Sequence, residues 1–90
     1  MQKAIISVVG KDTVGIIAKT ATYLSKVNVN ILDISQTVVQ GYFNMMMIVD
    51  ITQAKKSFDK FSAEMTELGK SIGVDIRCQV AEIFEKMYRV

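Results

Sequence analysis

The sequence contains no histidine and only one cysteine, Cys78. A single cysteine excludes an internal disulfide bond, and its place in an apolar strand pattern indicates a core side chain rather than a reactive thiol. Histidine is the side chain most often used in general acid–base catalysis, so the sequence lacks the commonest residue for that chemistry. Without histidine, the six methionines do not indicate a metal site. We therefore expect no catalytic residues, no metal and no cofactor.

The sequence also lacks excess charge and long apolar runs. Its 90 residues carry a formal net charge of +2, and the basic side chains are scattered, which does not indicate direct binding to nucleic acid. No apolar run approaches the roughly 20 residues that span a bilayer. Gln2 and Lys3 lead into a strand pattern, so we expect no signal peptide and no membrane association. The default expectation is one small cytoplasmic domain over residues 1–90.

What the sequence does contain is an alternation of strand and helix patterns. Apolar residues in runs or at every second position predict four strands, over 3–9, 30–40, 42–51 and 74–81. Apolar residues at spacings of three and four predict helices over 14–26 and 58–72, and a short third helix over 82–90. Ser57 and Gly73 suit the two ends of the second helix, and Gln40-Gly41 suits a hairpin. The side of the first helix predicted to face the core carries Val14, Ile17, Ala18, Ala21 and Leu24.

The element order βαββαβ indicates an α+β, ferredoxin-like sandwich. Right-handed crossovers then give an antiparallel sheet with strand order 4-1-3-2 and both helices on one face. The first and third strands are apolar on both sides, so the face without helices exposes a set such as Ile5 and Val9 with Met45 and Met47, or their counterparts. Apolar patches of this kind usually meet a partner or a covering segment. The segment 82–90 is one candidate cover, and a second chain is another.

The turn between the first strand and the first helix is the most distinctive local sequence. Gly10-Lys11-Asp12-Thr13-Val14-Gly15 places two glycines around an acid at a helix start. Glycine permits close approaches that a Cβ forbids, and unpaired N–H groups at a helix start can hold an anionic group. We therefore expect a small ligand to contact this turn. The structural alternative is that Asp12 or Thr13 only caps the helix.

The turn and the segments that follow it resemble the ACT domain. The matching residues are Gly10-Lys11-Asp12-Thr13-Val14-Gly15-Ile16, then a helix, then Val29-Asn30-Ile31, and the resemblance covers the whole chain in element order and length. The residues 30–37, the run Gly41-Tyr42-Phe43 and the ending 82–90 look like a group of stand-alone single-ACT-domain proteins. That group is similar to the ACT-domain repressor of the glycine cleavage system. Val14 stands where many ACT domains have proline.

The resemblance implies a non-enzymatic regulatory domain that binds a small ligand, commonly an amino acid, and signals to a partner protein. ACT domains commonly pair through the second strand and first helix, so it also implies a homodimer with the ligand at the interface. The implied ligand-binding residues in this chain are Gly10, Lys11, Asp12, Thr13, Val14, Gly15, Asn30 and Ile31. The Asn30 amide could hold a ligand carboxylate or amine, Asp12 an ammonium, and the helix start a carboxylate.

Three other functions stay open from the sequence. A ligand-free interaction or oligomerisation module would use the same apolar surfaces. A small enzyme such as an acylphosphatase needs a cationic anion cradle, whereas the turn offers only Lys11. An RNA-recognition motif needs a basic residue before its strand 3 glycine and stacking aromatics after it, whereas Gln40 precedes Gly41 and methionines follow. The enzyme and the RNA binder are the less favoured alternatives.

Overall fold

A computed structural model describes residues 2–11 and 14–81. Its elements are β1 (Lys3–Lys11), α1 (Ile16–Lys26), β2 (Asn30–Val39), β3 (Tyr42–Asp50), α2 (Phe58–Ile72) and β4 (Val74–Val80). The strands form one antiparallel sheet in the order β2-β3-β1-β4, which confirms the predicted ferredoxin-like topology. The helix predicted over 82–90 lies outside the described residues. Within the described part, no helix is long and apolar enough to cross a membrane.

The core lies between one face of the sheet and the two helices. The apolar side chains of β1 and β3 on that face are all buried: Ala4, Ile6, Val8, Phe43, Met45, Met47 and Val49. The helices pack on them through Ile16, Leu24, Phe61 and Met65. The one buried polar side chain of the described part is Thr20, and its hydroxyl donates to the Ile16 carbonyl at 2.7 Å, which satisfies it inside the core.

Helix α1 begins two residues later than predicted. Its N-cap is Gly15, where a φ of 92° turns the chain in a left-handed conformation before the helix can start. The prediction that Asp12 or Thr13 occupies the cap position is therefore wrong. The predicted core stripe is also wrong in part: Val14 is 96% exposed and Ile17 is 41% exposed. The buried stripe of α1 is instead Ile16, Thr20 and Leu24.

The face of the sheet without helices, called the open face below, carries the other side chains of β1 and β3. The cross-strand pairs on this face are Ile5–Ile48, Ser7–Met46 and Val9–Asn44. The predicted grouping of Ile5 and Val9 with Met45 and Met47 is wrong, because those two methionines pair with Val8 and Ile6 beneath the helices. Their counterparts on the open face are Met46 and Ile48.

Local sequence signals set most of the other boundaries correctly. The Ser57 side chain accepts a hydrogen bond from the Lys60 N–H at 3.4 Å, and Gly73 ends α2 with a φ of 90°, so α2 has its predicted bounds. Gln40 and Gly41 both have positive φ, as a tight hairpin requires. β2 lies at a sheet edge, with the predicted irregularity between Ile31 and Asp33.

Candidate functional site

The two glycines of the turn between β1 and α1 have different roles. A Cβ added at Gly10 would lie 2.7 Å from Val74 Cγ1 and 3.0 Å from Val74 Cα, so glycine is what lets β1 and β4 pair this closely. Gly15 has open space around it, with Lys19 Cε at 3.8 Å, but its positive φ favours glycine. The Gly15 carbonyl accepts the first helical bond from the Lys19 N–H at 2.9 Å. Gly10 therefore serves sheet packing, and Gly15 sets the direction of α1.

The start of α1 has the electrostatic character expected of an anion-binding turn. Its first turn contains no acidic side chain, so the partial positive charge of the helix end is not offset within that turn. Val14 stands almost fully in solvent beside it, and Lys11 lies at the end of β1, opposite Tyr42. Asp12 and Thr13 lie outside the described residues, so the ligand contacts expected of them stay predictions.

The other two candidate residues, Asn30 and Ile31, lie at the opposite end of the sheet. Gly10 pairs with Phe43 of β3, whereas Asn30 pairs with Asp50 of the same strand. Phe43 and Asp50 are seven residue steps apart along β3, which corresponds to about 23 Å. One chain therefore does not bring the turn and Asn30 together.

A cavity of about 350 Å³ lies between the C-terminal half of α1 and the start of β2. Its lining residues are Ala21, Leu24, Ser25, Asn28, Val29, Asn30 and Ile31. The lining combines apolar groups with hydroxyl and amide groups and no charged side chain, and its volume falls within the range of small-molecule sites. Asn28 ends α1 with a φ of 62°, and its Nδ2 donates to the Gln53 carbonyl at 3.0 Å.

Ala21, Ser25 and Asn28 line this cavity but are not among the site residues predicted from the sequence. The available signal was the short connection of three residues between α1 and β2, which forces the last turns of the helix to lie beside the start of the strand. Asn28 has a positive φ, the left-handed conformation that commonly follows the last turn of a helix.

Asp50 adds a negative charge next to Asn30. It lies opposite Asn30 in the register. Thr52 donates its hydroxyl to Asp50 Oδ1 at 2.6 Å and its backbone N–H at 2.9 Å, and these bonds lower the pKa of the Asp50 carboxyl. The carboxylate therefore stays ionised well below neutral pH. Asp50 shares the open face with Ile48, two residues before it, and it does not line the cavity under α1.

Exposed apolar side chains occur on the edge strand β2 and at the start of α1. Ile34 and Val38 of β2 pair with Met47 and Phe43, which places them on the helix side of the sheet, yet they are 43% and 55% exposed. The exposed side chains of Val14 and Ile17 lie on the α1 side. We call Val14, Ile17, Ile34 and Val38 the β2–α1 strip. Apolar side chains at an unpaired sheet edge usually meet a partner.

The remaining reactive groups are not arranged for catalysis among the described residues. Burial raises the pKa of the Cys78 thiol to about 11, so the thiol is protonated at neutral pH and is a poor nucleophile. In residues 2–11 and 14–81, no three histidine, cysteine, aspartate or glutamate side chains are placed to hold a metal ion. The candidate binding features of the described residues are therefore the cavity between α1 and β2 and the exposed β2–α1 strip.

Comparisons with known proteins agree with this architecture. A family model described as the ACT domain matches residues 2–79. The chain is 62% identical over 90 residues to a UPF0237 protein of Bifidobacterium longum, with all of both chains covered. It is similar to the solved ACT domain protein from Streptococcus pneumoniae, with 43% identity, a TM-score of 0.83 and coverage of 93% of this chain and 94% of that one.

A more distant solved structure is a putative glycine cleavage system transcriptional repressor. It is 17% identical, with a TM-score of 0.74, and the match covers 88% of this chain and 45% of that one. At this identity the likeness concerns the fold alone.

Proposed function

The chain belongs to the ACT domain family, and from that premise we propose that it is a non-enzymatic regulatory domain that binds an amino acid at the interface of a cytoplasmic homodimer. Domains of this family are typically ligand-binding and regulatory. The UPF0237 relatives from Bifidobacterium longum, Clostridium acetobutylicum and Listeria innocua carry no enzyme name. The regulated partner would be a second protein that responds to the ligand-bound dimer.

The observation that carries this proposal is the separation of the candidate residues in one chain. The turn with Gly15 and the end of β2 lie at one end of the sheet, and Asn30 lies at the other. If two chains pair through antiparallel β2 edges, each β2 start lies beside the end of the other β2. The turn of one protomer then approaches the partner's Asn30, and the β2–α1 strips of both protomers become buried.

The proposed site has two parts, the start of α1 in one protomer and the Asn30 region of the other, and their chemistry suits an amino acid. The start of α1, which has no acid in its first turn, would take the α-carboxylate. The Asn30 amide would take the ammonium group from the other protomer, with Asp12 as a second candidate. The cavity beside Ile31 would receive a small side chain. This arrangement needs both charges of a zwitterion, so amines or carboxylic acids alone should bind more weakly.

Thermal denaturation of the full chain in the presence of each amino acid tests this function. A ligand that binds only the folded state, at 100 times its dissociation constant, adds about 2.7 kcal/mol to the free energy of unfolding. For a chain of this size the Tm should rise by roughly 14 °C. Asn30→Ala should remove that rise, whereas the exposed Asn44→Ala on β3 should keep it.

Two results would contradict the proposal in different ways. If no amino acid raises the Tm while the protein is a dimer in solution, the alternative of a ligand-free interaction module is favoured. If an amino acid raises the Tm equally in wild type and in Asn30→Ala, the ligand binds elsewhere in the molecule.

A further inference from the structure

The side chain of Asn28 is held in one orientation at the rim of the cavity between α1 and β2. Its backbone φ is 62°, in the left-handed region that favours glycine and that asparagine also adopts. Asn28 is exposed and lines the cavity together with Ser25 and Asn30. Its Nδ2 donates to the Gln53 carbonyl at 3.0 Å, and this bond fixes the amide. A glycine would end the helix equally well, but it would bring no amide to the cavity.

The bond to Gln53 determines what the Asn28 amide can offer a ligand. A carbonyl oxygen only accepts, so the nitrogen end of the amide faces Gln53. Nδ2 carries two hydrogens, and this bond uses one of them. Among the described residues, no group donates to Asn28 Oδ1. The amide therefore retains one donor and one acceptor, the pattern that a second primary amide complements.

The floor and walls of the cavity are apolar. Leu24 is 1% exposed and Val29 is 5% exposed, and both line the cavity, together with the half-buried Ala21 and Ile31. Such a lining stabilises the CH₂ groups of a ligand, whereas an unpaired charge there loses its hydration without compensation. The described lining residues include no cation to pair with a carboxylate and no anion to pair with an ammonium group. The part of a ligand that enters the cavity is therefore uncharged.

The end of α1 disfavours a carboxylate in particular. Leu24 and Ser25 belong to the last turn of α1, and the C-terminal end of a helix carries a partial negative charge. Lys26 is the basic residue of this turn, but it is not among the residues that line the cavity. A carboxylate is repelled there, whereas an N–H donor is attracted. A wholly apolar ligand side chain would cover the Ser25 hydroxyl and the Asn28 amide without giving them partners, which weakens binding.

We propose that Asn28 selects an amino acid with an amide side chain, asparagine or glutamine, by pairing its own amide with that of the ligand. The remaining N–H of Nδ2 donates to the amide oxygen of the ligand, and Oδ1 accepts from its amide nitrogen. The CH₂ groups of the ligand pack on Leu24 and Val29. This inference rests on the proposed amino-acid site, and it adds the class of side chain that the site accepts.

Calorimetric titration of the full chain with matched amino acids tests the selection. Glutamine and glutamate have nearly the same shape and differ in the terminal group, as do asparagine and aspartate. We expect one of the two amides to bind at least about tenfold more tightly than its acid and than leucine, the effect of losing one or two hydrogen bonds. If leucine or an acidic amino acid binds as tightly, the selection is wrong and the amino-acid site stands. If no amino acid binds, both proposals are wrong.

A variant of Asn28 separates its contact with the ligand from its role at the end of α1. Asn28→Gly removes the amide and suits the backbone, because glycine readily adopts a φ of 62°. We expect this variant to lose the roughly tenfold preference for the amide over the acid. The control Asn44→Ala, which removes an exposed amide from the open face, should keep that preference.

The ratio of the two affinities is the readout that decides the role of Asn28. A purely structural role could lower the Tm or weaken all ligands together, but it would not distinguish an amide from an acid of the same shape. An unchanged ratio in Asn28→Gly would therefore overturn the proposal, whatever the Tm of the variant.

Discussion

At the scale of single residues, Glu64 of α2 connects the two helices through a hydrogen bond to α1. Tyr23 of α1 donates its hydroxyl to Glu64 Oε1 at 2.7 Å, and Lys56 pairs with Glu64 Oε2. The bonds from Lys56 and then Tyr23 lower the pKa of the Glu64 carboxyl. Burial, followed by the bond to Glu64, raises the pKa of Tyr23 above its ordinary value. The cluster therefore favours an ionised Glu64 and a neutral Tyr23.

This cluster predicts an acid-sensitive part of the stability. Because the folded-state pKa of Glu64 is lowered, its contribution is present above the ordinary value of 4.5 and is lost as pH falls through the folded-state value. Asp50 has a lowered pKa as well, so the loss is shared. Urea denaturation between pH 7 and pH 3 should show a smaller acid-induced loss for Glu64→Gln than for wild type.

The control for this prediction is Glu67→Gln on the same helix. Glu67 is exposed, and its ion pair among the described residues is with Lys70, one helical turn away, at 3.5 Å. This variant should follow the wild-type pH dependence. Equal acid-induced losses in Glu64→Gln and wild type would contradict the role of the cluster.

Single residues in the sequence predicted the ends of helices correctly where the physical cause of the helix end is local. Ser57 and Gly73 set the ends of α2 because a cap depends only on the neighbouring backbone. The start of α1 could not be predicted in this way, because Asp12 and Thr13 are good caps by residue type, and only the backbone conformation of Gly15 decides where the helix begins. The clash that a Cβ at Gly10 would have with Val74 depends on pairing between distant strands, so no local pattern reveals it.

At the scale of elements, the apolar pattern of α1 is wider than its contact with the core. The stripe with Ile16 and Leu24 faces the core, while Ile17 lies outside it. The predicted stripe included Ile17 because the spacing of apolar residues shows how wide the apolar side of a helix is. The spacing does not show whether that side contacts one surface or two. The same limit applies to β1 and β3, whose two apolar faces could be assigned only after the cross-strand register was known.

The β2–α1 strip predicts the effect of a charge at the proposed dimer interface. Val38→Lys should convert the dimer to a monomer in light scattering, because a lysine would leave a charge facing the partner's apolar strip. Val38 is 55% exposed in one chain, so the folded monomer should tolerate the change.

The matched control is Val9→Lys, a similarly exposed valine on the open face of β1. It should leave the dimer intact. A protein that stays dimeric with Val38→Lys and dissociates with Val9→Lys would place the interface on the open face instead.

At the scale of the whole molecule, the fold separates the candidate binding residues and the proposed dimer brings them together. The element order and the strand order follow from sequence patterns, because each strand and helix carries its own periodicity. The arrangement of the site does not follow from one chain, because Gly10, where the turn begins, and Asn30 are about 23 Å apart along the sheet. The resemblance to ACT domains suggested that these residues act together, and two-fold pairing supplies a physical way for them to do so.

The most direct measurement of this claim is ligand binding to a mixture of two defective chains. Gly15→Ala disturbs the turn and Asn30→Ala removes the amide, so each homodimer should bind the amino acid weakly. The two chains are unfolded and refolded together, and random pairing then makes about half of the dimers mixed. Each mixed dimer contains one intact site, formed by an unaltered turn of one protomer and the partner's Asn30. Calorimetric titration should then recover about a quarter of the wild-type binding sites, with wild-type affinity. No recovery of binding would mean that each site is formed within one chain and would contradict the account.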